Sequence, residues 1–120
     1  IYYLDLYSMT KLLSIIPSKR KGKKWEASFS VDGKDNKTVN FGADGYRDYT
    51  LLSNKSSKFY LKEKSERDKV KSAYINRHRK REEKLWKNSP MSPATLSRFI
   101  LWEKPTLTSA IVAFKARFKV

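Results

Sequence analysis

An α+β domain is predicted by three features of this 120-residue sequence. Apolar Trp25, Ala27, Phe29 and Val31 alternate with polar neighbours, as in a half-buried strand, and Val39 and Phe41 resume the alternation. A charged stretch from about Glu66 to Trp86 places Val70, Ala73, Tyr74, Arg77, His78, Arg81 and Leu85 at the three- and four-residue steps of a helix. Near the C-terminus Leu107, Ile111, Phe114 and Phe118 recur with the same period. The expected architecture is a β-hairpin, with or without a third edge strand, packed against about three helices.

Residues 1–17 are apolar but interrupted by Asp5 and Lys11, and no basic segment precedes them, so they fit neither a signal peptide nor a membrane span. The chain opens on Ile, and the expected native start is Met9, with Ile1–Ser8 as upstream sequence. Leu12, Leu13, Ile15 and Ile16 either form an edge strand or pack loosely on the body. Residues 1–22 are expected to be an N-terminal extension ending in a basic arm, and 23–120 a single domain. A glycine within the arm invites flexibility.

Asp32-Gly33, with Lys34, Asp35 and Asn36, supplies turn chemistry for a hairpin loop of about four to six residues. Gly42-Ala43-Asp44-Gly45-Tyr46 lacks the spacing of a phosphate-cradling loop and reads as a tight turn leaving the sheet, pinned by a tyrosine hydroxyl on Asp48. Residues 51–65, rich in lysine and serine, read as a mobile connection. Arg79 and Lys80 are expected to pair with Glu82 or Glu83 along the main helix. Ser92 suits an N-cap with Pro93 at the first helical position, and Thr106 or Thr108 caps the last helix.

Charge narrows the function. Twenty-seven Lys and Arg against twelve Asp and Glu give a net +15, beyond the magnitude of roughly 2–8 that solubility requires of a small domain. A polyanion is the expected partner, nucleic acid before an anionic membrane or an acidic protein surface. The candidate contacts are Lys19, Arg20, Lys21, Lys23 and Lys24 in the first cluster, and Arg77, Arg79, Lys80 and Arg81 in the helix. The first cluster also reads as a nuclear import signal, or simply as a solvated linker. Cations without a helix-turn-helix, zinc-finger or RNA-recognition signature point to backbone contacts, hence to binding largely independent of sequence.

Catalysis finds little support in the pattern. The chain has no cysteine and one histidine, His78, which reads as a packed or hydrogen-bonded helix residue; neither a metal site nor a cofactor is expected. A metal-dependent nuclease would draw on Asp44, Asp48, Glu82 and Glu83, which show no recognisable spacing. The chain is therefore read as non-enzymatic. Trp25, Trp86 and Trp102 are assigned to the core rather than to base stacking.

Four stretches carry a resemblance: Thr38-Val39-Asn40-Phe41-Gly42, Gly45-Tyr46-Arg47-Asp48-Tyr49-Thr50, Tyr74-Ile75-Asn76-Arg77-His78, and Leu96-Ser97-Arg98-Phe99-Ile100-Leu101-Trp102 running on to Lys104-Pro105-Thr106-Leu107. From about residue 23 onward the chain resembles a family of small uncharacterised proteins of nucleocytoplasmic large DNA viruses, with a longer connection at 51–65. The resemblance implies a viral, virion-associated protein in the particle or the infected cell's cytoplasm or nucleus; as nucleic-acid partner, DNA is expected before RNA. The resemblance brings no catalytic residues. Genome packaging is the leading role, and a structural or adaptor protein meeting acidic or viral structural partners is the alternative.

Overall fold

The computed structural model describes residues 10–120, apart from the side chains of Asp35 and Asn36. The expected start at Met9 and the reading of Ile1–Ser8 lie outside the described residues. Three antiparallel strands, β1 (Lys11–Pro17), β2 (Lys23–Val31) and β3 (Lys34–Ala43), form one sheet with β2 in the centre. Ile15 and Val39 flank Ala27, and Trp25 pairs with Phe41. The edge-strand alternative for Leu12–Ile16 therefore holds. The fold also begins before residue 23, because β1 is hydrogen-bonded into the sheet.

Two turns are tighter than expected. The β2–β3 loop is Asp32-Gly33 alone, both at positive φ (56° and 68°). That pair of left-handed residues matches the right-handed twist of the flanking strands, so two residues suffice where four to six were expected. The basic arm is likewise a hairpin turn. Ser18 N–H donates to the Lys24 carbonyl at 3.0 Å, Lys23 N–H to Arg20 at 3.1 Å, and Arg20 N–H to Ser18 Oγ at 3.0 Å. The Ser18 hydroxyl also donates to Asn40 Oδ1 on β3.

The helical part begins with a single turn, α1 (Tyr49–Leu52), and continues with α2 (Lys64–Asn88), longer at both ends than the expected 66–86. The connection between them is closed by side-chain-to-backbone and backbone hydrogen bonds rather than left mobile. Ser56 N–H donates to Asn54 Oδ1, Phe59 N–H to Ser57 Oγ, and Leu61 N–H to the Leu52 carbonyl. The phase of α2 also differs from expectation. Tyr74 and Trp86 are buried, with Val70, His78 and Glu82 partly covered along the same side, whereas Ala73 and Leu85 are exposed. Few apolar residues mark this helix, so the face presented by the following segment decides its orientation.

That segment is α3 (Pro93–Leu96), running directly into a π-helical turn (Ser97–Leu101). Ser92 caps it through Ala94 N–H, and the buried Thr95 hydroxyl donates to the Leu85 carbonyl at 2.8 Å, tying it to the end of α2. Packing of α3 and the π turn on β3 joins the helices to the sheet. The last helix, α4 (Leu107–Phe118), is capped by Thr106, which accepts from Ser109 N–H at 3.1 Å. Phe29, Phe41, Leu52, Leu96, Ile100 and Phe114 are fully buried and form the centre of the core. Each contributes on the order of 1.5–3 kcal/mol by leaving water.

An ionic clamp holds the segment after the π turn to α2. Glu103 accepts from Arg98 Nη1 at 2.6 Å and lies 3.9 Å from Lys71, whose ammonium also donates to the Glu103 carbonyl. Burial alone would raise the Glu103 carboxyl, but Arg98, with Lys71 and Lys104, more than offsets it and the net shift is downward. A carboxylate lowered by folding stabilises the fold above its unfolded value, near 4.3, and loses that contribution as pH falls through the folded value. The melting temperature should therefore fall as pH drops below about 4, and Glu103→Gln should flatten that part of the profile in circular-dichroism melts.

Candidate nucleic-acid interface

The chain leaves β3 through Gly42, whose φ of +81° favours glycine and whose Cβ, if present, would lie 2.9 Å from Leu101 Cδ1. The loop that follows the strand, residues 44–48, is pinned by Lys24. Its ammonium donates to Asp48 Oδ2 at 2.6 Å and to the Tyr46 carbonyl at 2.5 Å. Asp48 also accepts from Thr50 Oγ1 and from Leu51 N–H at 3.1 Å, which makes it the N-cap of α1. The expected tyrosine partner of Asp48 is thus replaced by Lys24 and Thr50, while the Tyr49 hydroxyl donates to Asp68 at 2.7 Å.

Between this loop, the middle of α2 and the π turn lies an open cleft of about 550 Å³. Lys23 from β2, Arg47 from the loop and Arg77 from α2 all line it, all are exposed, and none forms an ion pair among the described residues. Tyr46 lines it too and is 71% exposed. A column of stacked rings completes the wall. Trp102 lies 4.3 Å from Tyr74 and Tyr74 4.2 Å from His78, centroid to centroid. His78 Nδ1 meets Glu82 Oε2 at 2.9 Å, and burial pushes the Tyr74 phenol well above its ordinary value.

The nine expected contact residues divide. Lys23 and Arg77 both line the cleft, so residues from both basic clusters contribute to it. Lys24, expected to offer its charge to a ligand, spends it on Asp48 with only 11% of its side chain exposed. Lys19, Arg20 and Lys21 are exposed on the Ser18–Gly22 turn. Arg81 sits one helical turn beyond Arg77 and extends its line, and Lys80 is exposed beside it. Arg79 pairs with Glu83 and lines a second, smaller cavity of about 240 Å³ with Trp86 and Arg117.

Arg47 and Tyr46 were not among the expected contacts. Their only sequence signal is an arginine beside a tyrosine within a glycine-marked turn, outside any cationic run. Of the carboxylates weighed for a nuclease, Asp48 and Glu82 both line the cleft, where Asp48 holds Lys24 and Glu82 meets His78, while Glu83 holds Arg79. Among the described residues no three His, Asp or Glu side chains come together as metal ligands, and no helix is long and apolar enough to cross a membrane.

No curated protein and no solved structure matches the chain. Residues 13–61 are similar to a family of unknown function, DUF5754. The matched stretch takes in most of the sheet, the loop carrying Tyr46 and Arg47, and α1, and it ends before α2 supplies Arg77.

Proposed function

We propose that this protein is a non-enzymatic, largely sequence-independent nucleic-acid-binding protein whose contact face is the rim of the cleft. The observation that carries this reading is the convergence of Lys23, Arg47 and Arg77, from three separate elements, on one opening without carboxylate partners among the described residues. Exposed cations on a rigid frame are what phosphate contacts require, and such contacts orient a nucleic acid without reading its bases. Arg81 and the Lys19–Lys21 turn extend the positive surface on either side. In a virus particle the matching polyanion is the DNA genome, which makes packaging the role to test first.

The test is fluorescence anisotropy with labelled DNA across a salt series. Three phosphate contacts predict a log–log slope of about −2 to −3, steeper if the flanking cations join. Absence of binding at about 50 mM salt would sink the reading and leave an acidic protein surface, in a structural or adaptor role, as the partner to pursue.

A further inference from the structure

We infer that the cleft seats one nucleotide of a single strand, its base against the aromatic walls and its phosphate at the cationic rim, so that the protein prefers single-stranded to duplex nucleic acid. This rests on the nucleic-acid reading above and adds the state of the ligand. Cations and rings play different parts in the cleft. Lys23, Arg47 and Arg77 are exposed, while Trp102 and Tyr74 are buried in the wall and His78 ends their column half-covered. Tyr46 is the informative residue. Its backbone is tied down through the Lys24 ammonium, yet the residue is 71% exposed at the cleft it lines and contributes little to the core.

An aromatic ring held out on a fixed backbone is a stacking platform, and stacking tolerates any base because every base has a π face. In a duplex the bases are already stacked and paired. A duplex can offer its phosphates to the rim, but it leaves Tyr46 and the recess behind it unused. A single strand can satisfy both. The volume, about 550 Å³, suits one nucleotide rather than a helix.

The experiment compares three probes at one salt concentration: an oligothymidylate of about 15 nucleotides, within the range of known single-strand sites, a duplex of equal length, and thymidine monophosphate. The expected result is tighter binding of the single strand than of the duplex. Tyr46→Ala should weaken the single strand about tenfold with little effect on the duplex, and Tyr46→Phe should restore it. Tyr46 is exposed, so an unchanged circular-dichroism melt should accompany both variants. Equal affinity for single strand and duplex, insensitive to Tyr46→Ala, would overturn this inference while leaving nucleic-acid binding intact. Thymidine monophosphate binding as tightly as the oligomer would also overturn it, in favour of a free-nucleotide site. No binding of either polymer would remove both readings.

Discussion

Reversing charge at Lys23, Arg47 and Arg77 together, as K23E/R47E/R77E, is expected to lower DNA affinity by about 100-fold or more near 0.1 M salt and to flatten the salt dependence by about two units of slope. The magnitude follows from counterion release. Each lost contact on a single strand removes about 0.7 from the slope, so three remove about 2, and a slope of 2 across the tenfold interval from 1 M to 0.1 M is a factor of about 100. The three residues are exposed and lie outside the core, so the melting transition should move little. A matched control is essential because net charge alone attracts polyanions. Lys55, Lys62 and Lys115 are also exposed and do not line the cleft. K55E/K62E/K115E makes the same change in net charge, and the cleft reading requires that it weaken binding far less. Equal losses in the two triple variants would mean that the protein binds through its overall field.

The contrast between Lys23 and Lys24 shows where sequence reasoning reaches its limit. Strand alternation, the Asp32-Gly33 turn, the Ser92-Pro93 start of α3 and the Thr106 cap are local chemistry, and local chemistry is visible in the order of residues. Which of two adjacent lysines meets a carboxylate is not local. Lys24 is neutralised by Asp48, twenty-four residues away, and only the fold brings that partner to it. Arg47 is silent in the sequence for the same reason: it stands alone there and joins Lys23 and Arg77 at one cleft only in the fold. On α2, where both Leu85 and Trp86 are candidates for burial, the choice of Trp86 depends on where α3 and the π turn lie. The segment 51–65 differs in another way. Its serines and asparagine, residue types common in mobile connections, here close successive turns on their own backbone.

The second large effect is on stability. Asp48→Ala is expected to cost about 3–5 kcal/mol, a large part of the ~5–15 kcal/mol available to a domain. Asp48 is 2% exposed and holds three partners: the Lys24 ammonium, the Thr50 hydroxyl and Leu51 N–H. Loss of the cap alone would cost on the order of 1 kcal/mol. The larger part comes from Lys24, whose ammonium keeps only the Tyr46 carbonyl once the carboxylate is gone, in a site that admits little water. Pairing Asp48→Asn with Lys24→Met should recover much of the loss, because a neutral, well-packed replacement removes both desolvated charges at once. Urea denaturation of the single and double variants measures this coupling. The same set examines the binding site. If Lys24 is occupied as described, Lys24→Met lowers stability but leaves the salt slope for DNA unchanged, whereas Lys23→Met does the reverse. A cost below about 1 kcal/mol for Asp48→Ala, a value typical of exposed pairs, would mean that Lys24 swings out to solvent, and its charge would then belong with those that meet phosphate.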